Sequence, residues 1–397
     1  MRIFFILVLF LFSYAKNLEV VKYVSHKEPK IIVLYNNFPN KLKKILSLDA
    51  EIIANYKLKF QKNYDDENIK ESYPDADFVL KVNFKNNRLY VVLKNLGNNK
   101  IILKKMYQIS SFKVYPFMIH KLSYDINSKL GFPKVDWINK KIVYSVYMGA
   151  KEQAIFVADI TLTYRKKIIF GGLNVFPKWA NKEQTEIYYT KLEISPVLYK
   201  YNIYTGAKSR VLSTEGMLVV SDVKGDKLLL TLAIDEQPDV CEYNVKNHIL
   251  KRVTNFSGID VNGHFYGNEI VFISDRLGYP NVYKKNLTTG KVSKLFYYGK
   301  NHIAVAVNKD KIVVSSRETD NAFEKNSFNL LLIKKGESAV KRLTFEGKNI
   351  SPVFSDDGTT LLFIKEYKFN SKFGIIRLDK NKILYFRINR RIQAFDF

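Results

Sequence analysis

The chain is poor in the residue types that carry most metal and redox chemistry. Its 397 residues include one cysteine, five histidines and two tryptophans. A single cysteine excludes a disulfide framework and any zinc site built from paired thiolates. Cys241 lies in Asp239-Val240-Cys241-Glu242-Tyr243, whose alternation reads as a strand, so a buried, inert thiol is expected. The histidines, His26, His120, His248, His264 and His302, lack metal-ligand spacing. His120 falls on a predicted helix, where a hydrogen-bonded structural role is expected. There is no Gly-x-Ser-x-Gly elbow, no Gly-x-x-x-x-Gly-Lys phosphate loop and no His-Glu-x-x-His pair. The motif-borne routes to acyl transfer, nucleotide hydrolysis and zinc proteolysis are therefore closed. Ten prolines and 18 glycines are too few for a collagen or linker protein.

Cations, strand-forming aromatics and apolar residues are plentiful. Lys and Arg number 64 against 38 Asp and Glu, a net charge of +26. The imbalance is spread along the chain: residues 16–130 hold 21 basic and 11 acidic residues, and residues 131–397 are also basic. No block of five like charges occurs. A nucleic-acid surface concentrates its cations on one face or stripe, so a solvated Lys- and Asn-rich surface is expected and no nucleic-acid partner. A hydrophobic fraction of 47% supports a large core, and the length suggests two or three domains. The 26 tyrosines and 28 phenylalanines favour strands.

The amino terminus reads as an export signal. Met1-Arg2 precedes the apolar run Ile3–Phe12, and Ser13-Tyr14-Ala15 supplies the small residues of a cleavage site after Ala15. Ten apolar residues fall short of the roughly 20 that span a bilayer. No later stretch of about 18 apolar residues follows, so the processed chain, starting at Lys16, is expected to be soluble. Export with one unpaired cysteine suits a periplasm.

A repeat of roughly 42 residues organises the second two-thirds. Tyr199-Lys200-Tyr201-Asn202-Ile203-Tyr204-Thr205-Gly206 returns 84 residues later as Tyr283-Lys284-Lys285-Asn286-Leu287-Thr288-Thr289-Gly290, with Tyr243-Asn244-Val245 midway. Strand-like runs at Lys141–Tyr147, Glu186–Leu192, Lys227–Ala233, Glu269–Ser274, Lys311–Ser316 and Thr360–Lys365 mark six units. Within one unit, runs at Gly258–His264, Glu269–Ser274, Asn281–Asn286 and Val292–Phe296 are separated by turn residues. Four short antiparallel strands per unit is the pattern of a β-propeller, which buries sheet faces by radial stacking. A six-bladed β-propeller over residues 131–397 is expected, its last unit ending near residue 389.

Residues 16–130 lack the repeat and read as a small α/β domain. Strands are expected at Lys30–Leu34, Phe78–Phe84, Leu89–Lys94 and Lys100–Tyr107. Helices are expected at Asn40–Tyr56 and Tyr115–Leu130, where Leu42, Ile45, Leu46 and then Ile119, Leu122, Ile126 repeat at helical spacing. The fold class is thus mainly β, a six-bladed propeller preceded by a small α/β domain.

Three segments stand out beside the repeat: Gly171–Asn181 continuing to Thr190, Val271–Tyr283, and Ser351-Pro352-Val353-Phe354-Ser355-Asp356-Asp357-Gly358. In these the chain resembles the TolB family, periplasmic propeller proteins of the Tol–Pal envelope system. The resemblance covers essentially the whole processed chain, although the Ser-Pro and Asp-Gly pattern is intact only at Ser351–Gly358. It implies a non-enzymatic, monomeric interaction protein without cofactor or metal, supporting outer-membrane integrity and cell division. It implies two partners, the peptidoglycan-associated lipoprotein Pal on the propeller end-face and the energising protein TolA on the processed N-terminal segment. The loops entering the inner strands place Asn174, Glu215, Gly216, Met217, Ile259, Asp260, Asn301, His302, Asn349 and Ser351 towards Pal. Leu18, Glu19, Val20, Val21 and Val24 would serve TolA, the alternation of Leu18, Val20 and Val24 suiting strand addition. The alternative is a propeller hydrolase with a channel metal held in part by Asp260, His264 and His302.

Overall fold

The structure of the chain is a computed structural model that describes residues 28–62, 69–317, 327–337 and 339–397. The export signal and the segment Leu18–Val24 lie outside the described residues. A first sheet uses β1 (Lys30–Tyr35), β2 (Lys57–Lys62), β3 (Phe78–Lys85), β4 (Arg88–Asn95) and β5 (Ile101–Gln108), in the order β2-β1-β3-β4-β5. β1 is parallel to β2 and β3, whereas β3, β4 and β5 form an antiparallel meander. The parallel pairs need crossovers, which contain α1 (Asn40–Ile53) and the short α2 (Ile69–Ser72). α3 (Tyr115–Lys129) packs beside α1, and both bury their apolar stripes against Leu80, Leu89, Val91 and Leu93 of the sheet.

The expected first helix is three residues too long. It ends at Ile53 because Ala54 takes φ +54°, donating its N–H to the Ala50 carbonyl at 2.9 Å and turning the chain into β2. β2, with sequence Lys-Leu-Lys-Phe-Gln-Lys, is an exposed edge that the sequence reading does not anticipate. Its alternation carries only two apolar residues and so little periodic signal.

From Lys141 onward strands group in fours. β6 (Lys141–Gly149), β7 (Glu152–Asp159) and β8 (Arg165–Ile169) open the series. Next come β9 (Leu173–Trp179), β10 (Glu186–Leu192), β11 (Pro196–Asn202) and β12 (Lys208–Ser213). β13 (Leu218–Lys224), β14 (Lys227–Ile234), β15 (Gln237–Asn244) and β16 (Ile249–Arg252) follow. β17 (Asp260–Tyr266), β18 (Glu269–Ser274), β19 (Asn281–Asn286) and β20 (Val292–Lys294) repeat the plan. So do β21 (Lys300–Asn308), β22 (Lys311–Arg317), β23 (Asn329–Lys334) and β24 (Lys341–Arg342). The series ends with β25 (Lys348–Phe354), β26 (Thr360–Glu366), β27 (Ser371–Arg377), β28 (Lys382–Ile388) and finally β29 (Ile392–Asp396).

β29 is the correction that matters most to the architecture. The tail beyond residue 389 has no structural place in the sequence reading, yet Ile392–Asp396 pairs antiparallel with β6 and supplies the innermost strand of the first group. The inner strands then touch in the circular order β29, β9, β13, β17, β21, β25 and back to β29, which closes the ring. Each inner strand is bulged against its neighbour, sharpening its local twist.

Side chains near the bulges tie one group to the next. Asn262 Oδ1 accepts from the Val305 N–H at 2.9 Å, Asp222 Oδ2 from Phe265 N–H at 2.9 Å, and Gln393 Oε1 from Phe176 N–H at 3.1 Å. Thr190 donates its hydroxyl proton to the Leu218 carbonyl and Ser315 to that of Asn349. Such bonds satisfy backbone groups that the bulges leave outside the ladders.

Antiparallel order gives the ring two distinct faces. The entry face carries the loops into the inner strands and those between second and third strands. The opposite face carries the remaining hairpins, and the N-terminal helices sit there. His120 of α3 bonds Asp159 at the end of β7, and Arg377 at the end of β27 donates to the Ile53 carbonyl at the end of α1. One apolar core runs from Ile31, Leu46 and Ile119 through to Ile142, Phe373 and Phe395.

Candidate partner-binding face

With the N-terminal helices on the opposite side, the entry face is open and carries a rim of exposed apolar side chains. Phe170, Met217, Ile259, Tyr297, Tyr298 and Phe345 stand in loops that lead into inner strands. Tyr147, Leu192, Ile194, Tyr279, Tyr367 and Phe369 stand at the turns between second and third strands. Several of the rings lie under a cation: Lys167 over Phe170 at 5.0 Å, Lys294 over Tyr297 at 5.3 Å, Arg342 over Phe345 at 5.4 Å and Lys372 over Tyr367 at 5.2 Å. A cation over a ring restrains an aromatic side chain in water and makes it a firmer contact point. The sequence reading finds only Met217 and Ile259 of this rim, although the signal of the rest is present: Tyr297-Tyr298, Phe345 and Phe369 lie outside every strand-like run.

The residues assigned to this face from sequence separate into two classes. Glu215, Met217 and Ile259 are exposed, and Gly216, Asn301 and Ser351 are half-buried. Asn174, Asp260, His302 and Asn349 are buried, so their side chains are corrected from contact groups to structural ones. Asn174 Nδ2 donates to the carbonyls of Gln153 and Gly171 at 3.1 Å each, and Asn349 Nδ2 to those of Phe328 and Glu346. Asp260 receives Arg276 Nη2 on both oxygens at 3.1 and 2.9 Å, and that guanidinium lies over the rings of Phe256, Phe272 and Tyr283. His302 packs edge-on against Phe296, and burial pushes its pKa down to about 4. These polar positions begin the inner strands, where the backbone must be satisfied in a packed environment.

The channel does not gather the metal set of the alternative reading. Asp260 is committed to Arg276, His302 to its apolar niche, and His264 lies at the other end of the inner strands beside Asn262 and 3.9 Å from Asp222. Among the described residues no group of three or more His, Cys, Asp or Glu is placed to hold a metal ion. On the side of the N-terminal helices the channel opens into a cavity of about 770 Å³ whose wall includes Lys178, Asp222, His264, Phe354 and Asp396. Lys178 Nζ pairs with Asp396 at 2.8 Å, and Asp396 also accepts the Trp179 N–H at 2.9 Å. Burial alone would lower the lysine, but the Asp396 and Asp222 charges raise its pKa. Cys241 is buried, and burial pushes its thiol up to about 11, as expected of an inert thiol.

Comparison with known proteins agrees with the architecture. Residues 135–380 match the family model described as the TolB β-propeller domain. The chain is 38% identical to the Tol-Pal system protein TolB of Helicobacter hepaticus over 98% of this chain and 97% of the relative. It is 42% identical to that of Wolinella succinogenes, over 78% of this chain and 74% of the relative. The crystal structure of TolB from Acinetobacter baumannii superposes with TM-score 0.78 at 19% identity, covering 93% of this chain and 96% of that one. The ring of four-stranded groups, the preceding α/β unit and these identities over nearly the full length place the chain in the TolB family of the Tol–Pal system.

Proposed function

We propose that the chain is a non-enzymatic periplasmic interaction component of the Tol–Pal system that binds Pal on the entry face of its propeller. The observation that carries this reading is the exposed apolar and aromatic rim, on the face that the N-terminal unit leaves open. Exposed apolar residues gathered on one face mark interaction surfaces, and aromatic anchors dominate hot spots. Export follows from the N-terminal signal cleaved after Ala15, and the domains divide at residues 16–130 and 131–397. The buried Asp260–Arg276 pair is unsuited to testing the face, because breaking it destabilises the fold. The exposed pair is suited. Met217→Ala with Ile259→Ala is expected to weaken Pal binding by more than about 1 kcal/mol in titration calorimetry, with an unchanged melting temperature. Unchanged affinity would refute this placement.

The processed N-terminal segment, with Leu18, Glu19, Val20, Val21 and Val24, is proposed to bind TolA by strand addition. Deleting residues 16–24 is expected to abolish TolA capture in a pull-down and to leave Pal binding intact. Loss of both would place the segment in the fold instead. If the two partners are coupled through this segment, each changes the other's affinity by the same factor.

A further inference from the structure

The chain carries no acidic residue between Asp77 and Asp125, yet nine Lys or Arg fall in that interval. The strand register sorts most of them onto one surface. Val92 pairs with Lys81 on one side and Lys104 on the other, Arg88 pairs with Lys85, and Lys94 with Ile101. Lys81, Lys85, Arg88, Lys94 and Lys104 therefore share the face of β3, β4 and β5 that is turned away from α1 and α3. Lys105, one residue along, points to the helical side and bonds Asp125 of α3. Lys85, Arg88, Lys94 and Lys104 make no ion pair among the described residues. Burial, and after it the neighbouring charge of Lys94, push Lys81 below the usual lysine range.

Apolar side chains stand among these cations. Tyr90 and Met106 are cross-strand partners, 46% and 44% exposed, and Ile101 is 52% exposed. Because α1 and α3 lie between this sheet and the propeller, the cationic face is the outer end of the molecule, remote from the entry face.

We propose that this open face of β3-β4-β5 docks on an anionic lipid bilayer. With no ion pair at Lys85, Arg88, Lys94 or Lys104 among the described residues, the occupant of this patch is anionic. Protein surfaces intersperse both signs, whereas an anionic headgroup layer does not. Tyr90, Met106 and Ile101 suit the headgroup boundary, where amphipathic and apolar side chains enter while cations engage phosphates. Docked this way, the molecule presents its entry face away from that bilayer.

The test is co-sedimentation of the purified chain with vesicles of phosphatidylglycerol and phosphatidylcholine in equal parts, against pure phosphatidylcholine. Binding is expected only to the anionic vesicles and is expected to fall with salt. Lys85→Gln, Arg88→Gln and Lys104→Gln together are expected to weaken it on the order of a hundredfold, since each cation near the surface contributes severalfold. Tyr90→Ser with Met106→Ser is expected to weaken it about tenfold. A control with Lys246→Gln, Lys251→Gln and Lys291→Gln on the propeller, losing the same charge, is expected to bind like the parent. All three sets replace exposed side chains, and unchanged melting temperatures verify the fold. Failure to bind anionic vesicles, equal loss in the control, or an unaffected Tyr90/Met106 variant with equal binding to soluble polyglutamate would overturn the proposal.

Discussion

Replacing His120 with Gln is expected to destabilise the chain by about 3–5 kcal/mol, read from urea unfolding at neutral pH. His120 is fully buried, its Nδ1 is 2.9 Å from both oxygens of Asp49 in α1, and its Nε2 is 3.1 Å from Asp159 Oδ2 at the end of β7. Ser123 donates to Asp49 at 2.7 Å, and Thr161 and the Tyr164 N–H donate to Asp159. Burial alone would lower the imidazole pKa, but the Asp49 charge and the bonds to both carboxylates raise it to about 10. One imidazolium between two carboxylates leaves a surplus negative charge. Its burial pushes Asp49 up, while for Asp159 the His120, Thr161 and Tyr164 bonds outweigh burial and hold it down. Without the cation, two buried carboxylates face each other across the junction of helices and propeller.

The pH dependence has a definite sign. A histidine raised from 6.5 in the unfolded chain to about 10 in the fold stabilises fully below pH 6.5, and that contribution disappears as pH rises through about 10. The stability gap between parent and His120→Gln is therefore expected to be widest near neutral and mildly acidic pH and to close towards pH 10. A gap below about 1 kcal/mol at pH 7, or one that widens above pH 9, would show that the cluster is not the charged junction described. An Asp49→Asn, His120→Gln double variant recovers part of the loss if the penalty comes from unpaired carboxylates.

How much of this was legible depends on where each residue sits. The second strand of each group is legible: the expected runs Glu186–Leu192 and Glu269–Ser274 match the observed bounds. Those strands are packed on both sides, so apolar runs mark them. Outer strands such as Lys341–Arg342 are short and exposed, and nothing in their pattern distinguishes them from loops. The polar residues opening the inner strands look like surface in the sequence because polarity normally reports exposure. At Asn174, Asp260 and Asn349 it reports instead a buried group bonded to backbone or to Arg276. The junction was half legible. The sequence assigns His120 a structural role but not its partner Asp49, which falls in the stripe Leu42, Ile45, Leu46, Asp49, Ile53, where an acid signals a buried partner. The cationic face was legible only as a charge excess, since cross-strand register decides that five of its cations share one side.

Removing residues 392–397 is expected to abolish the native propeller. β6 would lose the antiparallel partner that aligns Ile392 with Val146 and Phe395 with Tyr144. Ile392 and Phe395 are buried, the latter edge-on to Phe373 at 5.0 Å, and removal of each such side chain costs about 2–5 kcal/mol. Lys178 would keep its place in the channel wall without Asp396, and the N–H groups of Phe176 and Trp179 would lose their acceptors. Together these losses reach the roughly 5–15 kcal/mol that a folded domain has in hand. The truncated chain is therefore expected to lose its near-ultraviolet circular dichroism and its cooperative melt. The milder Asp396→Asn keeps the strand but leaves Lys178 without its ion-pair partner, and is expected to cost about 3 kcal/mol and remain folded. A truncated chain melting within a few degrees of the parent would mean that ring closure by the last strand contributes little. The ordering of the two variants separates closure from charge: if Asp396→Asn is as damaging as truncation, the Lys178 pair holds the ring. If it is nearly silent while truncation unfolds the chain, the backbone ladder and the apolar contacts of Ile392 and Phe395 hold it.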